Sequence, residues 1–382
     1  MINVLDPQRV MSSLEDRTVE VIEDFFPHVG KNRTLVAKRI YTGPKVSSDD
    51  ITSQKNARMR GRTWAQPIFA DLELVDNATG QVVSSVNKMR IMNLPKLTRR
   101  YSYIVDGTEY QVDNQWRLKS GAYARRKANG ELETQFNLAE GRGFRLGFDP
   151  AKRGFLLKYG TSNIQLLPVL QALGVSDERI ESVLGKEAYS QAVSKKKRGE
   201  LVKMSKSLNR RAVVNSDTEA VPVIKEALSA TKISPETTSI TLGKGFSSIG
   251  GEALLASAAK LLRINRGEDK VDNRDSLRFK ELWTIDNHIP ERVKNSQKRI
   301  KYKIGNNVDR KDDIRSIITS DIFNVPVKTF FTSTSLSQQS SQTNPIDMLG
   351  GFMRTTIMGQ GGIQSDNAIT DEAKLIDASY LG

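Results

Sequence analysis

The chain has no cysteine and only two histidines in its 382 residues. Without thiols, disulfide frameworks, zinc ribbons and cysteine nucleophiles are excluded. His28 stands in F-F-P-H and His288 in D-N-H-I-P, both turn-like settings, so each is expected to be a capping or surface residue. No His/Asp/Glu cluster sits at ligand spacing, and neither a catalytic residue nor a metal site is expected on this chain. There is no apolar run long enough to span a membrane, and the opening M-I-N-V-L-D-P-Q lacks a signal-peptide pattern. The expectation is a soluble chain, intracellular at synthesis, with no membrane partner. A phosphate loop is missing as well: residues 242–251 read L-G-K-G-F-S-S-I-G-G, where the lysine precedes the serines at the wrong spacing. That stretch reads as a flexible turn before a helix bearing Leu254, Leu255, Ala258, Leu261 and Leu262.

What is abundant is positive charge. Lys and Arg number 58 against 44 acidic residues, a formal net charge of +14. Such an excess points to a polyanionic partner, nucleic acid being the usual one, although a ribosome-associated or membrane-surface protein would share it. The length allows a sizeable core and two or three domains.

Asp6-Pro7 reads as an N-cap followed by a first-turn proline, opening a helix whose face carries Val10, Leu14, Val21, Ile22 and Phe25. Residues 34–113 change to short alternating runs. I-F-A-D-L-E-L-V and Q-V-V-S-S-V flank the turn Asn77-Ala78-Thr79-Gly80, and residues 102–110 place two strand-like pieces around Asp106-Gly107. Gly174 closes a short helix, and Ser176 N-caps the next. The densest basic run holds Lys195, Lys196, Lys197, Arg198, Lys203, Lys206, Arg210 and Arg211, with Leu201, Met204 and Leu208 as an apolar stripe. Its outer face is either a phosphate-contacting surface or merely solvated. A basic, helix-like stretch then runs through Lys303 with Ile289, Val293, Ile300 and Ile304 on one face.

Residues 330–362 stand apart. F-F-T-S-T-S-L-S-Q-Q-S-S-Q-T-N-P-I-D-M-L-G-G-F-M-R-T-T-I-M-G-Q-G-G is rich in uncharged hydrogen-bonding side chains, with an N-P turn and a G-x-G-G ending, poor material for a core. Leu336-Ser337-Gln338, Gln342, Asn344-Pro345, Arg354, Gly359 and Gly361-Gly362 match, without a gap, the fork and rifampicin-pocket segment of bacterial-type multi-subunit RNA polymerase β subunits. That segment has the form S-S-Q-L-S-Q-F-M-D-Q-x-N-P-L followed by R-x-x-x-x-G-P-G-G-L. Four further pieces resemble the family in the same order: 102–121 its F-x-I-N-G-T-E-R hairpin, 141–180 its Y-R-G-S-W-L-D-F and L-P-x-T-x-L-L-R-A-L-G runs, 272–277 its D-D-I-D-H-L, and 323–331 its lead-in ending E-F-F.

The resemblance implies an α/β mixed (α+β), multi-domain chain. Residues 1–117 and 271–330 would be two protrusion segments, 118–270 an inserted lobe and 331–382 a fork. It implies the N-terminal half of a split β subunit, an arrangement found in giant bacteriophages, active only as part of a nucleotidyltransferase, in the host cytoplasm or packaged in a virion. The expected partners are a C-terminal β part, β′-type subunits carrying Mg²⁺, template DNA, nascent RNA and a promoter-specificity subunit. Gln338, Gln342, Asn344, Arg354, Gly361 and Gly362 would line the transcript path, and Lys195 to Arg198 would meet DNA. For Gln342 and Asn344 a second reading stands, that their amides hold the loop's own backbone. Ser341, Gly351 and Thr356 replace an acidic residue, a histidine and a serine around the antibiotic, so rifampicin resistance is expected; Ser365 replaces an arginine. The alternative reading is a non-catalytic basic nucleic-acid-binding protein or a mimic that docks on host RNA polymerase.

Overall fold

The computed structural model describes residues 6–151, 154–194, 199–209, 213–319, 321–340 and 343–363. The chain begins α1 (Pro7–Glu23), β1 (His28–Val29), β2 (Arg33–Thr42), α2 (Ile51–Met59), β3 (Ala65–Asp76), β4 (Val82–Pro95), β5 (Tyr103–Val105), β6 (Thr108–Val112) and β7 (Asn114–Leu118). A second set follows: β8 (Gly121–Arg126), β9 (Leu132–Asn137), β10 (Phe144–Asp149), β11 (Gly154–Tyr159), β12 (Ser162–Gln165), α3 (Leu166–Ala172), α4 (Asp177–Leu184), α5 (Lys186–Ser194), α6 (Glu200–Leu208), α7 (Asp217–Ser229), α8 (Pro235–Leu242) and α9 (Gly251–Arg266). The last set is β13 (Lys280–Trp283), α10 (Ile285–Asn295), α11 (Gln297–Val308), α12 (Ile314–Ile317), α13 (Asp321–Ser333), β14 (Ser337–Gln339), α14 (Pro345–Met353) and β15 (Thr355–Thr356). This is a mixed α/β chain with several sheets, in two compact units. The described part of unit 1 joins the first residues through Arg117 to those from Leu282 onward, and unit 2 is Leu118–Glu281.

In unit 1 an antiparallel sheet of order β1-β2-β3-β4 is backed by helices. On β3 the residues Gln66, Ile68, Ala70, Leu72 and Leu74 are buried in strict alternation, the period of a half-buried strand. The hairpin to β4 turns where Asp76 Oδ1 accepts from the amides of Ala78 (2.9 Å) and Thr79 (3.0 Å), with Gly80 at φ +70°. Asp106 (φ +48°) and Gly107 (φ +80°) give the β5–β6 hairpin two consecutive left-handed residues, as a two-residue loop requires. Asp6 Oδ1 accepts from Gln8 N at 3.1 Å to cap α1, and Val10, Leu14 and Ile22 go into the core. Residues 34–113 also contain a helix that alternation does not announce: Asp50 caps α2 by accepting from Ser53 N at 3.0 Å.

Two expectations are corrected here. His288 is neither a cap nor a surface residue; it is 1% exposed inside α10, stacked on Phe330 with ring centroids 5.7 Å apart. Thr284 and Asn287 box the start of α10, so D-N-H-I-P is the first turn of a helix and Pro290 sits within it. The basic stretch through Lys303 is two helices, because Ser296 (φ −85°, ψ 0°) breaks it between α10 and α11. The buried face survives the break: Ile289, Val293, Ile300 and Ile304 are all within 2% of full burial.

Unit 2 is an antiparallel meander, β12-β11-β10-β9-β8, packed against helices of which α9 is the most buried. Gly174 (φ +88°) ends α3, and Ser176 Oγ accepts from Arg179 N to start α4. Of the basic run, Lys195 to Arg198, Arg210 and Arg211 lie outside the described residues; α6 buries Leu201 and Met204. Unit 2 runs to Glu281, and a buried ion pair ties the segment after α9 to β8. Lys260 Nζ, 4% exposed, lies 2.6 Å from Asp272 Oδ1, and Asp272 Oδ2 accepts from Ala124 N at 2.7 Å. No helix among the described residues is long and apolar enough to cross a membrane.

Asp272→Asn strands the Lys260 ammonium in the core and is expected to cost about 3–5 kcal/mol, the usual penalty for halving a buried pair. Urea denaturation measures it, and adding Lys260→Met should recover much of the loss. A second outcome concerns His288. Burial first, then Arg117 and Arg292, pushes its pKa down to about 3. Above about pH 6.5 it is neutral folded and unfolded; below, only the unfolded chain takes the proton, so stability falls as pH drops, by at most about 1.4 kcal/mol per unit. Urea midpoints from neutral pH downward should fall less steeply in His288→Phe than in the parent.

Candidate nucleic-acid interface

The polar run folds by borrowing partners from β6 and β7. Thr334 Oγ1 donates to Phe330 O (2.8 Å) as α13 ends, and Leu336, 1% exposed, plugs the core. β14 then adds to β6 with Ser337 opposite Val112, Gln338 opposite Gln111 and Gln339 opposite Tyr110. Backbone pairing is satisfied by the sheet, so the side chains of Gln338 and Gln339 are left exposed to solvent. Asn344 caps α14: its Oδ1 accepts from Ile346 N at 3.1 Å, which is the second of the two readings for this residue. Gln342 lies outside the described residues, as do Ser341 and Ser365.

Met348 and Phe352 anchor α14, Phe352 against Tyr101 at 5.4 Å between centroids. The opposite face shows Ile346, Leu349 and Met353 at 78%, 44% and 41% exposure, an apolar stripe that unit 1 leaves uncovered. Gln111 Nε2 donates to Met348 O (3.1 Å) and fills the space over Gly351, where a Cβ would lie 2.6 Å from its amide oxygen. Asn114 Nδ2 donates to the carbonyls of Phe352 (2.8 Å) and Arg354 (3.0 Å), satisfying the end of the helix. β15 then runs parallel to β7, Thr355 opposite Asn114 and Thr356 opposite Gln115. The Arg354 side chain is half-exposed, 3.9 Å from Asp113, whose carboxyl is held above the usual range by burial despite that cation.

Beyond β15 the chain turns back over Arg117. This guanidinium is 6% exposed, and every donor group on it is engaged. Nε donates to Gln115 Oε1 (2.7 Å), Nη1 and Nη2 to the two carboxylate oxygens of Glu291 (2.9 and 3.1 Å), and Nη2 also to Gln360 O (3.0 Å). The Trp283 ring lies beneath it, its centroid 3.8 Å from Cζ. Gln115 Nε2 donates to Met358 O at 2.8 Å. A Cβ on Gly361 (φ +88°) would meet Arg117 Cζ at 2.4 Å, and one on Gly362 would meet Ile357 O at 2.4 Å. The glycines are therefore explained by the approach of the loop to Arg117 and to its own backbone.

Gln338, Arg354, Gly361 and Gly362 thus lie in succession along β6 and β7 rather than around one point. The residues that hold them, Gln111, Asn114 and Arg117, were not singled out from the sequence, and Gln115 was noted only as part of a motif. A signal existed: Q-V-D-N-Q-W-R places polar residues at alternate positions 111, 113, 115 and 117, a strand whose buried face is polar. Among the described residues no three His, Cys, Asp or Glu side chains gather into a group that could hold a metal ion.

The chain is similar to DNA-directed RNA polymerase β subunits. It is 23% identical over 385 residues to that of Synechococcus elongatus, covering 93% of this chain and 34% of the cyanobacterial protein. It is 23% identical to that of Porphyra purpurea (88% of this chain, 33% of the relative) and 22% identical to that of Leifsonia xyli subsp. xyli (95% and 34%). No family model matches. The chain therefore spans about a third of the length of these RNA polymerase β relatives.

Gly361→Ala puts a Cβ into the Arg117 guanidinium at a positive φ, and is expected to loosen residues 357–363 by more than about 1 kcal/mol. Hydrogen exchange reads this locally: the amides of Gly359, Gly362 and Ile363, bonded to Ile363 O, Gly359 O and Ile357 O, should exchange at least about fivefold faster. Unchanged exchange would mean that Arg117 does not hold the loop.

Proposed function

We propose that this chain is a β-type segment of a DNA-dependent RNA polymerase, the N-terminal part of a split β subunit of giant-bacteriophage type. The observation that carries the β-type reading is the extent of the similarity: one alignment takes in 93% of the chain. In this reading unit 1 supplies the protrusion and the start of the fork, and unit 2 the lobe. The chain holds no catalytic metal; Mg²⁺ belongs to a β′-type partner, and a C-terminal β part completes the subunit. Its own contribution is to position nucleic acid. The exposed amides of Gln338 and Gln339 and the cation of Arg354 offer donors to ribose and phosphate without reading base edges, which suits an enzyme that must accept any sequence. The outward stripe Ile346, Leu349 and Met353 on α14 supports a neighbouring subunit surface there. Gly351, with Gln111 seated over it, leaves no side chain where the resembling family has a histidine, consistent with rifampicin resistance.

The deciding experiment is purification of the native particle from infected cells, with mass spectrometry of its subunits. A chain continuing the β sequence and one carrying the β′ metal loop should co-purify, and a photoreactive nucleotide near the transcript 3′ end should crosslink to residues 336–362. Capture of host polymerase subunits in their place would support the docking mimic. A particle lacking both β′-type and host subunits overturns the assignment to transcription.

A further inference from the structure

Arg292 presents a problem that the chain itself does not solve. It follows Glu291 on α10, yet both carboxylate oxygens of Glu291 go to Arg117. The Nε and Nη2 atoms of Arg292 are buried and find no acceptor among the described residues. The Phe330 ring flanks it, with the centroid 5.8 Å from Cζ. A guanidinium has five donors and no means of losing its charge in a protein, so buried donors without acceptors are costly. Burial acts most strongly against its charged form, the Glu291 carboxylate favours it, and the nearby Arg117 opposes it more weakly. Native structures seldom leave such a group without water or an ion.

Arg292 opens onto a cavity of about 200 Å³ entirely within unit 1. One wall carries Arg292, Arg299 and Lys303 from α10 and α11, and the other carries Ile322, Val325 and Pro326 from α13. No carboxylate lines it. The break at Ser296 brings the three cations into one cavity although they come from two helices. The apolar wall excludes water from one side and so strengthens attraction to an anion on the other. The Thr329 hydroxyl is already donating to Val325 O at 2.8 Å, while Asn295 and Ser296 add uncharged polar side chains beside the three cations.

We propose that this cavity is a phosphate-binding subsite whose cationic wall is Arg292, Arg299 and Lys303. A tetrahedral, multiply charged oxyanion matches the fork and can meet all three cations at once, whereas a carboxylate offers two oxygens in one plane. The phosphate is either a backbone phosphodiester, in which case the subsite extends the nucleic-acid role proposed above, or a free phosphate or nucleotide, which is independent of that role.

The test uses the full chain and inorganic phosphate as probe. Thermal unfolding is followed against phosphate concentration at constant ionic strength set with chloride. The parent should be stabilised in a saturable way by phosphate. Arg292→Met should weaken phosphate affinity at least about tenfold and Lys303→Gln by severalfold. Because a methionine relieves the stranded charge, Arg292→Met should also melt at or above the parent's temperature without phosphate, which separates lost binding from misfolding. An oligothymidylate that competes with phosphate identifies the phosphodiester source; one that leaves phosphate binding untouched identifies a free phosphate. Equal responses of parent and Arg292→Met, or no phosphate effect beyond that of chloride, overturns the subsite whatever becomes of the polymerase reading.

Discussion

One guanidinium organises the polar loop that forms the candidate site of this protein. Arg117 is the last residue of unit 1 before the chain departs, and Trp283, whose ring lies under it, comes just after the chain returns. The Glu291 carboxylate grips it in bidentate fashion, and it reaches forward to the carbonyl of Gln360. Three stretches far apart in sequence, around residues 117, 283–291 and 360, thus meet on one planar cation. A buried charge of this kind tolerates no partial disassembly, since losing one partner leaves the remainder unpaired at a cost of about 3–5 kcal/mol. The glycine-rich ending of the polar run is shaped by that demand: the backbone must come close enough to accept from Nη2, and only residues without a Cβ allow it.

The same logic separates what holds the loop from what the loop offers. Gln111, Asn114 and Gln115 spend their amides on carbonyls of residues 348–358 and are unavailable to a ligand. Gln338, Gln339 and Arg354 satisfy their backbones in sheet or helix cap and turn their side chains outward. A surface built this way is rigid beneath and adaptable on top, because the outward groups are long and flexible while their Cα positions are fixed by β6 and β7.

Much of the fold was legible because its signals are local. The caps at Asp6 and Ser176, the Asp106-Gly107 turn and the alternation along β3 each depend on a few neighbouring residues, and each stands where periodicity and turn chemistry put it. His288 was misread because D-N-H-I-P has the composition of a turn, while its fate is decided by Phe330, which no short window contains. The outward half of the candidate site was visible as an excess of amides. Its supporting half was not, because a strand with a polar buried face looks like an exposed strand until its partners, Phe352 to Gln360, are known to lie on it.

Arg117 and Arg292 flank the same glutamate and make opposite uses of burial. Arg117 has an acceptor for each nitrogen and becomes a fixed part of the scaffold. Arg292 feels the same carboxylate without bonding to it through Nε or Nη2, and has an aromatic face beside it and a cavity whose lining holds no acidic side chain. A fold that wanted only stability could put an apolar residue at 292, since α10 already buries Ile289 and Val293 well. Keeping a charge there is reasonable when its missing acceptor arrives from outside. The two arginines then mark the boundary within unit 1 between charge used for structure and charge held ready for a ligand.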